Sequence, residues 1–227
     1  PAFSRRALGP PLARTVVALL VVAPWTVRNA IVMDEAVPVS TQAGYTLAGT
    51  YNAISREDPE YPAAWRPPNL PYPDIFRPGS GLNEIETERE LRSRALDYLS
   101  EHPTYIFTVG FWNTVRMLEL NGFDWPPLVS QDIGISETSA RWATVSFWIV
   151  GLRAIFGVFT RAGRLLPAFL WAAAVFLVVS VIFISGSTPR FRNPLEPYFL
   201  WFAALAALAA RGMLPKGRRD VANEPDR

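Results

Sequence analysis

PRFRNPLEP, residues 189–197, joins two long apolar runs, and its reading decides how the whole chain is read. The run before it, Leu165 to Ser185, carries no charge, and the run after it, Leu195 to Ala210, carries only Glu196 at its start. A helix needs about 20 apolar residues to cross a hydrocarbon core of roughly 30 Å, so both runs read as membrane spans. Arg190 and Arg192 then sit at a membrane surface, where lipid phosphate is the anion at hand. Asn193, Pro194 and Glu196 suit the cap, first turn and third position of the helix that follows, a capping-box-like order.

Composition agrees. Half of the residues are apolar while 19% are charged, a mixture that suits membrane spans joined by polar loops. There is no cysteine, which excludes disulfides and thiolate metal sites, and the single histidine, His102, excludes a histidine-rich one. His102 itself reads as a helix-end residue before Pro103. Four spans are expected, at about 13–33, 140–160, 165–185 and 195–212. Arg28 closes the first, where a long side chain can snorkel to the interface.

Orientation follows from the basic residues. Arg5, Arg6 and Arg14, then Arg161 and Arg164, then Arg211, Lys216, Arg218 and Arg219 all fall on one side of a four-span chain. Cytoplasmic segments are enriched in Lys and Arg, so both termini are expected in the cytoplasm. The expected division is a tail and first span over 1–33, an external loop over 34–137, three spans over 138–212 and a cytoplasmic tail over 213–227. The loop holds 16 acids against 7 arginines, a balance of −9. Arg190 and Arg192 lie on its side and break the positive-inside pattern, which suggests a task for them.

The loop is too long for a plain connector. Its proline- and aromatic-rich part, 59–79, reads as coil. Residues 84–101 read as a helix, with acids in the first turns and Glu88–Arg92 and Glu90–Arg94 at the favourable i,i+4 spacing. A second helix, about 104–120, begins after Pro103. Its Tyr105, Phe107, Phe111 and Trp112 suggest that it lies in the membrane interface. A fifth span is the competing reading, opposed by Asn113, Arg116 and Glu119. Gly44 and Gly49 mark Ser40 to Asn52 as a polar loop with tight turns.

PWTVRN at 24–29, VPVSTQAGYTLAGTYN at 37–52, the acidic helix ending in EHP at 101–103, and PRFRNPLEP together resemble one family. It is that of bacterial GT-C type membrane glycosyltransferases, which includes the protein mannosyltransferases and the aminoarabinose lipid A transferase. The resemblance covers the C-terminal half of such an enzyme. Gly49, Thr50, Tyr51 and Asn52 stand where relatives often have a GNN-like triplet. The resemblance implies an all-α polytopic membrane protein of the bacterial inner membrane. It would move a sugar from a polyprenyl-phosphate donor to a lipid, glycan or protein acceptor on the outer face. It implies no nucleic-acid partner, names no cofactor, and leaves a divalent metal open. The family's catalytic acid sits in an earlier external loop, so no catalytic residue is assigned in this chain, and the chain alone is expected to be inactive.

The site residues expected here face the lipid phosphate. Arg190, Arg192 and Arg28 are the candidate phosphate ligands, because a guanidinium can donate two parallel hydrogen bonds to one phosphate. Asn29 and Glu196 are the supporting residues. The alternative function is a non-enzymatic transporter subunit or assembly scaffold. Such a transporter is expected to carry charged or Gly/Pro-broken residues near the middle of its spans.

Overall fold

The computed structural model describes residues 5–35, 37, 40–122, 134–184 and 189–213, excepting the side chains of 5–11, 189 and 190. Among these, all regular structure is helical. The chain divides into two compact units: residues 1–60 with 65–103, and residues 61–64 with 104–227.

The first unit holds α1 (Arg5–Met33), α2 (Gln42–Thr50), α3 (Ala53–Glu57) and α4 (Glu84–Glu101). Within α1, Leu12–Met33 is long and apolar enough to cross a membrane, and only 6% of its apolar window is buried. Among the described residues it is the one helix that passes on both length and hydropathy.

The acidic start of α4 is closed by a capping box. Asn83 Oδ1 accepts from the Glu86 amide at 2.9 Å, and Glu86 Oε2 accepts from the Asn83 amide at 2.8 Å. Glu88–Arg92 and Glu90–Arg94 form ion pairs along the helix at 3.5 and 2.8 Å. The coil before α4 is ordered by packing: Ile75 is buried, and Asp74 binds Arg94.

The segment expected as a loop, Ser40 to Asn52, is mostly helix. Its two glycines permit close approach between elements instead of tight turns. A Cβ on Gly44 would lie 2.2 Å from the backbone oxygen of Glu88, so α2 is seated directly on α4. The Gly44 amide also donates to Glu88 Oε1 at 3.2 Å. A Cβ on Gly49 would meet the Trp65 ring at 2.1 Å, and the Gly49 oxygen accepts from the Arg66 amide at 2.8 Å. Asn52 turns the corner into α3. Its Oδ1 caps the Ser55 amide at 2.8 Å and its Nδ2 donates to the Ala48 oxygen at 2.8 Å.

The second unit holds α5 (Tyr105–Met117), α6 (Glu137–Val158), α7 (Arg161–Arg164), α8 (Ala168–Ile182), a 3-10 turn (Pro189–Leu195) and α9 (Glu196–Ala210). The α6–α9 pair forms its main packing. A Cβ on Gly157 would lie 1.8 Å from the Phe202 oxygen, so the two helices cross in backbone contact. Phe147 meets Phe199 edge-on at 5.4 Å, and Trp171 stacks on Phe202 at 5.2 Å.

Pro167 takes an extended ψ of 136° at the N-cap of α8, which delays the helix to Ala168. The result is 15 residues, an axial length of about 23 Å. After Asn193, the α-helix does not begin as a capping box would require. The turn keeps 3-10 geometry through Leu195, which precedes Glu196 as an N-cap without a side-chain hydrogen bond. Pro194 sits inside this turn, and Pro197 occupies one of the first α-helical positions, where a missing amide costs nothing.

The α2–α4 seat generates a test. Gly44→Ala places a methyl group against backbone that cannot rotate away. We expect a loss of about 1–3 kcal/mol by overpacking, read as a lower thermal midpoint of helical circular dichroism. Gly81→Ala is the strain control, because nothing lies within 4 Å of its Cβ position although its φ is +73°. An unchanged midpoint for Gly44→Ala would contradict the close approach.

Candidate functional site

The PRFRNPLEP turn is fastened from beneath by one of its own arginines. A 3-10 helix repeats every three residues, and Arg192 and Leu195, three apart, are both buried. Asn193 and Pro194 are exposed. Arg192 is 6% exposed. Its Nη1 donates to the Met117 oxygen at 2.9 Å and to Glu119 Oε1 at 2.8 Å. Its Nε reaches Glu196 Oε1 at 3.4 Å, and its guanidinium lies over the Phe147 ring at 3.5 Å. The other oxygen of Glu119 accepts from the Thr144 hydroxyl.

This cluster is built on the end of α5. The last carbonyls of a helix lack intrahelical partners, and the helix dipole makes that end negative. Here Arg192 takes the Met117 carbonyl and Trp148 Nε1 takes that of Leu118 at 3.2 Å. The chain then reverses through a left-handed residue. The Leu120 amide bonds the Val115 oxygen at 2.8 Å and the Glu119 amide bonds that of Arg116 at 3.0 Å, the pattern of a Schellman motif.

The left-handed position in such a motif usually belongs to glycine. At the end of α9 it does: Gly212 has φ +65° and the same pair of bonds, from Met213 to Leu208 and from Gly212 to Ala209. At the end of α5 it belongs to Glu119, with φ +56°. A side chain in that region costs roughly 1–2 kcal/mol. Leaving a buried charge without its partner costs roughly 3–5 kcal/mol, so the carboxylate outweighs the strain.

One turn earlier, α5 carries a second buried arginine. Arg116 is 2% exposed and donates to the oxygens of Pro62 and Ala63 at 2.8 and 2.9 Å, and to Asn113 Oδ1 at 3.1 Å. Asn113 Nδ2 in turn binds the Ile182 oxygen at the end of α8 at 2.8 Å. Asn113, Arg116 and Glu119, three apart, are thus the inward polar row of this segment, while Phe107 and Phe111 point outward, 71% and 61% exposed.

The expected site residues divide accordingly. Arg192 is turned inward and engaged by protein acceptors, and Glu196 does touch it. Arg190 occupies the turn, in the backbone register of Asn193, and its side chain lies outside the described residues. In the first unit, Arg28 is exposed, with its guanidinium 5.3 Å from the centre of the Trp25 ring and Nη1 3.4 Å from Asn29 Oδ1. Asn29 is 2% exposed, and its Nδ2 donates to the Val37 oxygen at 3.3 Å, tying down the chain after α1. His102 caps the end of α4 and stacks on Tyr98 at 4.4 Å. No group of acids and histidines that could hold a metal occurs among the described residues.

Reading the sequence missed Glu119, Thr144 and Phe147. The i,i+3 spacing of Asn113, Arg116 and Glu119 is the one local signal of this inward polar row. No family model matches the chain, and neither the curated proteins nor the solved structures offer a match.

The first unit has its own charge cluster. Arg94 grips Asp74 with two hydrogen bonds of 3.0 and 2.7 Å and lies over the Tyr72 ring at 5.5 Å. The hydrogen bond from Arg94 holds the Asp74 carboxyl below its ordinary range. A depressed folded value means that the ionised pair stabilises the fold above the unfolded carboxyl value of about 3.9. That contribution disappears as pH falls through the folded value. Asp74→Asn should therefore melt below wild type at neutral pH, with the gap closing under acid. A gap of the same size at pH 2 and pH 7 would show that charge pairing is not its source.

Proposed function

We propose that this chain works in an integral-membrane glycosyltransferase that takes its sugar from a polyprenyl-phosphate donor on the outer face of a bacterial inner membrane. One observation in the second unit carries the donor part of this reading. A cavity of about 330 Å³ lies among α6, α8 and α9, lined by apolar side chains such as Ala154, Val158, Trp171, Val175 and Phe202. Leu195, the last residue of the arginine-bearing turn, is also part of its wall. A hydrocarbon groove adjoining a cationic turn fits an amphiphile with a long tail and a phosphate head. In this reading the tail occupies the groove and Arg190 meets the phosphate. Arg192 holds the turn from inside, with Glu196 beside it.

A guanidinium there would bind the anionic donor by charge-assisted hydrogen bonds. It would also stabilise the charge that grows on the phosphate as the sugar departs. The acceptor is a lipid, glycan or protein hydroxyl or amine, and no base for it is assigned within this chain.

The membrane reading extends beyond α1. Large side chains of α8 stand exposed, Phe169 and Phe176 by 68% and 72%, and an apolar surface of this kind calls for a lipid or protein partner. With its apolar flanks at 165–167 and 183–184, α8 approaches the length that a bilayer requires. We assign spans to α1, α6, α8 and α9, with both termini cytoplasmic. The 13 residues of α5 lie along the outer interface, with Phe107 and Phe111 toward lipid.

Two experiments test this. Single cysteines at Ser80, Ser187 and Asn223 are probed with an impermeant thiol reagent in intact cells. Labelling at 80 and 187 but not at 223 is expected, and the reverse pattern would overturn the topology. In nanodiscs, Arg190→Ala should weaken polyprenyl-phosphate binding about ten- to a hundredfold, the equivalent of roughly 1.5–3 kcal/mol for one charge-assisted contact. Lysine should restore only part of it, lacking the planar fork. Wild-type affinity in Arg190→Ala would remove the assigned phosphate contact.

A further inference from the structure

We infer that Glu119 is a positioning residue: by receiving Arg192 it sets the geometry of the 189–195 turn and so places Arg190 for its anionic ligand. This rests on the lipid-phosphate reading of the turn. The anchor itself rests on observed contacts within the second unit.

Three features single out Glu119. It takes the left-handed position that ends α5, where Gly212 stands at the end of α9, so a side chain is present where the backbone favours none. Its carboxylate is buried and used at both oxygens, by Arg192 and by Thr144. These partners come from separate elements, the 3-10 turn and α6, so one carboxylate joins the end of α5 to both.

Arg192 is the complementary half. Its guanidinium is held in position by the Met117 carbonyl, the Glu119 carboxylate and the Phe147 ring. The planar, multidentate head resists rotation in a way that a methylene stem does not. A seven-residue turn containing two prolines has few amides with which to define itself, so a side-chain anchor at its centre has large leverage on its conformation. The anchored register leaves position 190 in the row of exposed Asn193. One arginine of PRFRNPLEP is thereby spent on architecture, and the proposed function gives the ligand to the other.

Buried ion pairs suggest how to separate positioning from mere stability. Replacing both partners with groups that leave no charge often preserves or raises stability, whereas removing one strands the other. Glu119→Gly suits the backbone, because it relieves the left-handed strain while deleting the carboxylate. Arg192→Met then removes the stranded cation and keeps apolar volume over Phe147.

The test uses the full chain in lipid nanodiscs. It has no native cysteine, so a spin label on Asn193→Cys reports the mobility of the turn by electron paramagnetic resonance. Polyprenyl phosphate is the binding probe, and thermal melting reads stability. In the wild-type background the label should be immobile. In Glu119→Gly it should become mobile, with binding weakened at least tenfold. In Glu119→Gly/Arg192→Met the melting midpoint should return toward wild type while the label stays mobile and binding stays weak. Arg190→Gln should lose binding with the label still immobile.

An immobile label in Glu119→Gly would overturn the anchor. Wild-type affinity in the double variant with a mobile label would overturn positioning and leave a stability element. Wild-type affinity in Arg190→Gln would instead strike the phosphate reading, and with it the ligand assigned to the positioned arginine, while the mobility arm would still read the anchor.

Discussion

Pairing of Arg192 with Glu119 is the constraint on which the second unit depends. A guanidinium and a carboxylate, 7% and 8% exposed at their side chains, meet at 2.8 Å. Neither tolerates burial alone, since an isolated charge out of water costs far more than any contact nearby returns. Their meeting therefore couples the end of α5, the 3-10 turn and, through Thr144, α6. Around it, the polar demands of α5 are met one after another. Trp148 takes the Leu118 carbonyl, Arg116 takes the carbonyls of Pro62 and Ala63, and Asn113 takes the end of α8.

The two units are held by different physics. In the first, α2 and α4 approach through a glycine, and the ion pairs keep some contact with solvent, which weakens each of them. Its order comes from caps and close backbone contact: Asn83 with Glu86, Asn52 with Ser55, Gly44 on Glu88. In the second, apolar helices cross at Gly157 and the aromatic side chains stack, while the polar groups gather in one buried row. Apolar surface remains exposed on α1 and α8. This distribution supports a lipid environment for these helices, as the proposed function requires.

Much of the helical architecture was legible in local sequence. The acidic start and i,i+4 pairs of 84–101 belong to a helix that runs Glu84–Glu101, because caps and neighbouring side chains act within a turn or two. The apolar run at 13–33 is a helix for the same local reason. Legibility failed where a residue's partner lay far along the chain. Gly44 and Gly49 read as turn residues because glycine serves both turns and close packing, and only the presence of α4 and Trp65 separates the two. Asn193 and Glu196 read as a cap, but the pull on Arg192 and Leu195 keeps the turn in 3-10 geometry past the expected start.

The sequence by itself determined several of the helices among the described residues, a first helix apolar enough for a membrane, and a short connector carrying two arginines. These follow from periodicity, run length and composition, which are properties of neighbouring residues. Only the tertiary structure decided which way Arg192 faces. Glu119 lies 73 residues before it, and nothing local distinguishes Arg192 from Arg190. Arg192 turns inward because the end of α5 brings an unpaired carbonyl and a carboxylate, and α6 an aromatic ring, to the turn. A buried cation must take such a site, and once it has, its direction is no longer a property of the residues around it.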